Sequence, residues 1–307
     1  MRKVLMSPSS FGQCGLEPIT LLKQQGYEAV PNPYGRKLTK EEVLDLATDC
    51  IGIVAGVEEL NAQVIDALPS LKCISRVGVG MDSVDVDHAT AKGIVVVNTP
   101  DGPTRSVAEL TIGMALALLR RIPQADSAIK NRTWQKQIGN LLFGKTIGVI
   151  GLGRIGRMVS ALFCALGNHV IGYDTNSDVV WAEKNSVELV NMDSLLGSAD
   201  IVSIHTPSRI DSKPILGAKQ LGLLRQGSFL INISRGNVVD ENALLGLLKS
   251  NHLSGAAIDV FLEEPYMGPF CDLDNVILTP HIGSYAAEGK LQMEIDAVNN
   301  LIKGLGL

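Results

Sequence analysis

Short apolar, β-branched runs alternate with amphipathic stretches along the chain, and this alternation predicts two series of strands joined by helices. The first series has predicted strands at 3–7, 27–31, 51–55, 73–76 and 94–98, with helices around 17–25, 40–47, 62–68 and 84–92. The second series has predicted strands at 146–150, 170–173, 201–204, 229–232, 256–259 and 276–279. Continuous apolar strands connected by crossover helices indicate parallel sheets covered on both faces.

A long apolar helix is predicted between the two series, and another helix follows the second series. Ser106 with Glu109 predicts a capping box, and the alanine- and leucine-rich run after them is apolar nearly all round. We therefore expect this helix to be buried between domains and against a second subunit. The last helix, at 288–303, is expected to cross back to the first domain.

Composition indicates a globular chain and excludes several classes of partner. At 307 residues, with 46% hydrophobic and 19% charged residues, two domains with separate cores are expected. The net charge of −5, without a basic cluster, argues against nucleic acid or an anionic membrane as a partner. The sequence has no signal-peptide pattern and no apolar run of about 18 residues. Its five scattered cysteines lack CxxC spacing, so we expect a reducing, cytoplasmic location.

The most informative stretch is 146–174, where a glycine-rich turn joins a strand to an amphipathic helix. Gly151 permits a tight turn, Gly153 lets the main chain approach a pyrophosphate, and Gly156 lets the helix pack closely on the strand. The helix N-terminus offers N–H groups and partial positive charge to phosphates. Asp174 lies 18 residues beyond Gly156 at the end of the next strand, where a carboxylate receives a ribose hydroxyl.

The cofactor and the fold class follow from this fingerprint. A carboxylate at position 174 repels a 2′-phosphate, and the next three residues include no arginine, so NAD is favoured over NADP. We predict an α/β protein of two doubly wound parallel-sheet domains. A Rossmann NAD-binding domain at 99–284 would be inserted in a flavodoxin-like substrate domain formed by 1–98 and 285–307.

Four strands of the second series end in residues suited to hydride-transfer chemistry: His205, Arg235, Glu264 and His281. In an open parallel sheet, ligands bind beyond the carboxyl ends of the strands. Arg235 can hold a carboxylate bidentately and polarise a carbonyl, while His281 can exchange a proton with the substrate oxygen. Glu264 on the other ring nitrogen would fix the histidine tautomer and favour protonation. No His/Cys spacing supports zinc, so no metal is expected.

At these residues the chain resembles the D-isomer-specific 2-hydroxyacid dehydrogenases over essentially its whole length. Family members carry Ser/Ala-Arg-Gly, Asp-Val-Phe-x-x-Glu-Pro and His-Ile-Gly segments, which match 234–236, 259–265 and 281–283 here. By this resemblance, the catalytic residues are Arg235, Glu264 and His281, and Glu264 is chosen over Glu263 because it precedes the proline. The resemblance also implies a homodimer formed through 104–142.

The resemblance further assigns the binding residues. Asp259 would hold the nicotinamide carboxamide, and the main chain of Val79 and Gly80 would receive the substrate carboxylate. The predicted cofactor-binding residues are Gly151, Gly153, Arg154, Ile155, Gly156, Asp174, His205, Thr206, Pro207, Ile233, Ser234, Asp259, Gly283 and Thr104. The predicted substrate-binding residues are Arg76, Val79, Gly80, Arg235 and His281.

One departure from the family pattern leaves the identity of the substrate undecided. Within the family, the likeness is strongest to members that act on 3-phosphoglycerate, which carry an arginine after the third strand. This chain has Glu58 and Glu59 there, which favours a smaller, unphosphorylated acid unless both glutamates face solvent. The alternatives are a glyoxylate/hydroxypyruvate or D-lactate-type reductase and, in another class, an NAD-sensing regulatory protein. The C-terminal regulatory domains of longer homologues are expected to be absent.

Overall fold

Two parallel β-sheets, one in each of two structural units, organise the chain. The computed structural model describes residues 1–209 and 211–306. Unit 1 comprises Met1–Ser106 together with the segment that starts at Ser284, and unit 2 comprises Val107–Gly283. Unit 2 is therefore inserted into unit 1 along the sequence.

Each sheet has the strand order of an open α/β fold, with every pairing parallel. In unit 1 the order is β2-β1-β3-β4-β5, and in unit 2 it is β12-β11-β10-β9-β6-β7-β8. The strands of unit 1 are β1 (Arg2–Met6), β2 (Tyr27–Pro31), β3 (Cys50–Ala55), β4 (Cys73–Arg76) and β5 (Val95–Asn98). Those of unit 2 are β6 (Thr146–Ile150), β7 (His169–Tyr173), β8 (Val187–Leu189), β9 (Ile201–Ile204), β10 (Phe229–Asn232), β11 (Gly255–Ile258) and β12 (Val276–Leu278).

Helices connect these strands, and several begin at a side-chain cap. Thr39 and Glu42 form a capping box, and Asp240 accepts from the Ala243 N–H. No helix within the described residues is long and apolar enough to cross a membrane. The helices are α1 (Glu17–Gln24), α2 (Lys40–Ala47), α3 (Ala62–Asp66), α4 (Val86–Ala91), α5 (Thr104–Arg120), α6 (Ile122–Lys130), α7 (Arg154–Ala165), α8 (Val179–Lys184), α9 (Met192–Ser198), α10 (Ala218–Leu221), α11 (Glu241–Lys249) and α12 (Ala287–Gly304).

Both sheets bury side chains on both faces, as the continuous apolar strands predict. In β1, Leu5 packs in one core of unit 1, whereas Val4 and Met6 pack in the other. In β6, Val149 and Ile150 divide between the two cores of unit 2 in the same way. Successive residues of a strand point to opposite faces, so a sheet covered by helices on both sides needs apolar residues at every position.

Two local predictions about the elements are wrong, and one helix was not predicted. The capping box at Ser106 does not begin α5, because the helix starts at Thr104, after Pro103, whose fixed φ suits a first helical turn. Helix α6 was not predicted; it follows Arg121, which has a left-handed φ of 54°. The second sheet has seven strands instead of six, because β8 is a three-residue edge strand too short to give a periodic signal.

Candidate active site

The glycine-rich turn after β6 has the geometry of a phosphate cradle. Gly151 has φ +92°, and a Cβ on it would lie 2.6 Å from the His205 carbonyl oxygen. A Cβ on Gly156 would lie 1.8 Å from the Gly151 carbonyl oxygen, so only glycine fits at both positions. Gly153, the N-cap of α7, faces open space. The N-terminus of α7 is thus open to an anionic ligand, and these residues fit a dinucleotide pyrophosphate.

Asp174 holds the turn from the end of β7. Its Oδ2 accepts the Leu152 N–H at 2.6 Å, and its Oδ1 accepts the Asn176 N–H at 2.9 Å. Arg157 braces the same turn: its Nε donates to the Leu152 carbonyl at 2.9 Å, and its Nη2 donates to Asp178 at 3.1 Å. Sequence reasoning missed Arg157, although an arginine one residue after Gly156 lies within one helical turn of the cradle.

His205 and Thr206 follow β9, directly beside the cradle. The His205 Nε2 lies 2.8 Å from the Ser203 hydroxyl, and burial lowers the pKa of His205 to about 3. His205 is therefore neutral at physiological pH and does not carry positive charge to a phosphate. The Thr206 hydroxyl donates to the Pro207 carbonyl at 3.0 Å.

Arg235 lies on the loop after β10, and the side chain of Asn232 at the end of that strand holds this loop in place. The Asn232 amide nitrogen donates to the Arg235 carbonyl at 3.0 Å, and its oxygen accepts from the Ser234 N–H and hydroxyl at 3.1 and 2.8 Å. The Arg235 Nη1 donates to the Ser234 carbonyl at 2.8 Å. Ile233 and Ser234 are both buried. Asn232, which sequence reasoning missed, is recognisable as an amide that ends an apolar strand.

Asp259 clamps the segment that carries His281. Its Oδ1 accepts from the Thr279 hydroxyl at 2.5 Å and the Ile282 N–H at 2.8 Å, and its Oδ2 accepts the Gly283 N–H at 2.8 Å. Burial raises the pKa of Asp259, although these hydrogen bonds oppose the shift. His281 itself has a left-handed φ of 54°, which costs free energy for a non-glycine residue and is sustained by this clamp.

Glu264 and His281 are in direct contact. The Glu264 Oε2 lies 2.9 Å from the His281 Nδ1, and the Glu264 Oε1 accepts the Phe261 N–H at 3.1 Å. Burial acts to raise the pKa of Glu264. The hydrogen bond and charge of His281, the Phe261 N–H and the charge of Arg235 lower this pKa overall, so Glu264 is an anion at neutral pH. The contact leaves the His281 Nε2 available for proton transfer.

The remaining predicted residues lie in unit 1, except for Arg154 and Ile155. Arg76 ends β4, and Val79 and Gly80 follow it, with the Val79 carbonyl accepting from the Asn98 amide at 2.8 Å. Thr104 begins α5, and its buried hydroxyl has no hydrogen-bond partner within the described residues. In unit 2, Arg154 and Ile155 open α7. In the described part of the chain, no group of three or more His, Cys, Asp or Glu side chains could hold a metal ion.

Known proteins share both the sequence and the fold of this chain. The family model described as D-isomer specific 2-hydroxyacid dehydrogenase, NAD binding domain, matches residues 112–283. The D-3-phosphoglycerate dehydrogenase of Methanocaldococcus jannaschii is 43% identical over 258 residues, which cover 82% of this chain and 49% of that protein. The chain thus spans about half the length of the curated relatives it matches.

Solved structures match the chain along nearly its full length. The TT0316 protein of Thermus thermophilus superposes with a TM-score of 0.89 at 31% identity, covering 99% of this chain and 96% of that one. The D-lactate dehydrogenase of Aquifex aeolicus, complexed with NAD and lactic acid, gives a TM-score of 0.84 at 26% identity, covering 99% and 95%. From the matched family model and the shared identity, this chain belongs to the D-isomer specific 2-hydroxyacid dehydrogenase family.

Proposed function

We propose that this protein transfers a hydride between NAD(H) and a small 2-hydroxy or 2-oxo acid, as an NAD-dependent D-2-hydroxyacid dehydrogenase. The observation that carries the proposal is the 2.9 Å contact between Glu264 and His281, in the same unit as the phosphate cradle. An ionised carboxylate behind an exposed imidazole is the arrangement that a proton donor to a reacting oxygen needs.

Three side chains divide the chemistry. The Arg235 guanidinium binds the substrate carboxylate and polarises the adjacent carbonyl. His281 gives a proton to the carbonyl oxygen during reduction and removes it during oxidation, while Glu264 holds the ring and stabilises its charged form. Bound NAD supplies the hydride acceptor or donor. Asn232 and Asp259 act as positioning residues. Asn232 bonds the loop that carries Arg235, and Asp259 bonds the loop that carries His281.

The cofactor is held by unit 2. The cradle at Gly151, Gly153 and Gly156 would bind the pyrophosphate, and Asp174 would accept the ribose hydroxyls, which favours NAD over NADP. The remaining cofactor contacts proposed from the family resemblance are those of Arg154, Ile155, His205, Thr206, Pro207, Ile233, Ser234, Asp259, Gly283 and Thr104. In unit 1, the substrate domain of this proposal, Arg76, Val79 and Gly80 would bind the substrate carboxylate.

We also propose a cytoplasmic homodimer whose partner is a second copy, with no nucleic-acid or membrane partner. The support for a dimer is a run of exposed apolar side chains that follows α6: Trp134, Ile138, Leu141 and Phe143. The support for a reducing compartment is that all five cysteines are free thiols.

Replacement of His281 tests the function. Wild-type protein should oxidise NADH, followed at 340 nm, with at least one acid among 3-phosphohydroxypyruvate, hydroxypyruvate, glyoxylate and pyruvate. His281→Ala should lower kcat by about a hundredfold to ten-thousandfold, since it removes the proton donor, and should change the Kd for NADH less than threefold. His169→Ala is the matched control, because His169 is an exposed histidine at the amino end of β7 paired with Glu188.

Two outcomes would contradict the proposal. Tight NADH binding without turnover of any of these acids would favour an NAD-sensing regulatory protein. A wild-type rate in His281→Ala would remove His281 from the mechanism.

A further inference from the structure

Glu58 is a buried carboxylate in unit 1, although it follows the exposed Val57 on the loop after β3. Only 2% of Glu58 is exposed. Its Oε1 and Oε2 accept the Gly56 N–H at 3.0 and 3.1 Å, and its Oε1 accepts the Ser7 hydroxyl. A Cβ on Gly56 would lie 3.0 Å from the Glu58 Oε2 and 3.4 Å from Pro8, so the carboxylate fills a closed cradle.

The group of donors around Glu58 lies at the topological switch point of the unit 1 sheet. Ser7 follows β1 and Gly56 follows β3, the two neighbouring strands between which the order β2-β1-β3-β4-β5 reverses. Open α/β sheets bind ligands in the crevice at that point. A main-chain N–H and a hydroxyl that converge there are donors suited to an anion. In this chain the anion is supplied by the protein itself.

Glu58 differs from the glutamate beside it in its bonding partners. Its hydrogen bonds come from neutral donors, and it forms no ion pair within the described residues. Glu59, the next residue, differs: it is exposed, lies 3.3 Å from the Lys40 ammonium and accepts the Asn61 amide at 2.7 Å. Of these two glutamates, Glu58 is therefore the buried one without a cationic partner among the described residues, and weak solvent screening in a buried place strengthens the effect of a carboxylate on a nearby anion.

We propose that Glu58 is an internal anion that occupies the phosphate position at the carboxyl edge of unit 1 and excludes phosphorylated acids. The substrate is then a small, unphosphorylated 2-hydroxy or 2-oxo acid, an assignment that rests on the proposed dehydrogenase function. The dianionic phosphate of a longer acid meets both an occupied cradle and a like charge, whereas a hydroxymethyl or methyl group meets neither.

The test is substrate discrimination in charge variants. We compare kcat/KM for 3-phosphohydroxypyruvate and hydroxypyruvate, with NADH at equal ionic strength. The wild type should favour hydroxypyruvate at least tenfold. Glu58→Gln should shift the ratio toward the phosphorylated acid at least tenfold, mainly through a lower KM for it. Glu59→Gln, the matched control, should keep the wild-type ratio within twofold. A wild-type preference for the phosphorylated acid, or an unchanged ratio in Glu58→Gln, would overturn the proposal.

A second variant keeps the test decisive if Glu58→Gln does not fold. Val57 is 55% exposed, so Val57→Arg adds a cation to the same loop without disturbing a buried group. Val57→Arg should also raise the relative kcat/KM for the phosphorylated acid at least tenfold, and an unchanged ratio would count against the loop as the discriminating element.

A binding measurement separates this proposal from the proposed function. Calorimetric titration with inorganic phosphate should give at least tenfold tighter binding to Glu58→Gln than to the wild type and to Glu59→Gln. Equal binding by all three proteins would overturn the role of Glu58. If the wild type reduces none of the acids, the dehydrogenase proposal fails, but the titration still reports whether Glu58 blocks an anion site.

Discussion

Two histidines of the same unit show how the surroundings of a residue decide its chemistry. His205 is half-buried beside Ser203, and its pKa falls to about 3, so it contributes shape and hydrogen bonding but no charge. The side chain of His281, by contrast, is 46% exposed and contacts the Glu264 carboxylate. Their sequence contexts, each at the end of a strand, are alike.

The depressed pKa of His205 predicts acid sensitivity. The unfolded chain binds a proton at His205 below its ordinary pKa of 6.5, whereas the folded protein does so only near 3. The stabilisation is therefore complete above pH 6.5 and is lost as the pH falls toward 3. Between pH 6.5 and pH 5, wild-type protein should lose about 2 kcal/mol more unfolding free energy than His205→Asn, by urea denaturation. Parallel pH profiles for the two proteins would contradict this expectation.

At the scale of elements, polar residues at strand ends position the site loops. Asp174 after β7 accepts the main-chain N–H of Leu152 in the glycine-rich turn, and Asp259 after β11 accepts those of Ile282 and Gly283 beside His281. Asn232 at the end of β10 bonds the main chain of its own loop. Because the strands are rigid, a hydrogen bond between a strand-end side chain and the loop main chain holds the loop in one conformation. The cradle, Arg235 and His281 are all fixed in this way.

The proposed cofactor role of Asp174 gives a prediction about selectivity. Asp174→Ala should remove both the proposed acceptor for the ribose hydroxyls and the hydrogen bond to the Leu152 N–H. We expect NADH affinity to fall about tenfold and the preference for NADH over NADPH to narrow, measured by fluorescence titration with both cofactors. Glu188→Ala, an exposed carboxylate paired with His169, is the control. A wild type that binds NADPH as tightly as NADH would disprove the proposed selectivity.

At the scale of the whole molecule, the exposed apolar segment at 131–143 is the clearest candidate for an assembly surface. Trp134 is 84% exposed and Ile138 is 96% exposed. Helix α6, just before this segment, buries none of its residues, and its Ile122 and Ile129 are exposed. Apolar side chains are rarely gathered on a free surface, and most oligomers of soluble proteins pair identical copies.

The dimer proposal predicts a mass of two chains. Light scattering at micromolar concentration should give twice the mass of one chain, and the double variant Ile138→Asp with Leu141→Asp should shift the protein to one chain, because it buries two charges in the interface. Val180→Asp, which changes an equally exposed valine on α8, should remain dimeric. A monomeric wild type would rule out this assembly.

The amino-acid sequence by itself determined the features that depend on neighbouring residues. The apolar runs of β6 and β10 predict strands because a buried parallel strand must be apolar on both faces. The glycines at 151, 153 and 156 predict a phosphate cradle because their spacing is set within one turn and one helix. The segments around Arg235, Glu264 and His281 carried the family resemblance for the same reason: each motif is local.

Only the tertiary structure decided the features that depend on contacts between distant residues. Glu58 and Glu59 are adjacent and identical, yet one is buried on Ser7, 51 positions away, and the other pairs with Lys40 at the surface. The pKa of His205 depends on what covers it, and the edge strand β8 depends on β7 for its hydrogen bonds. Burial and long-range pairing set these outcomes, and neither is encoded in the spacing of residues along the chain.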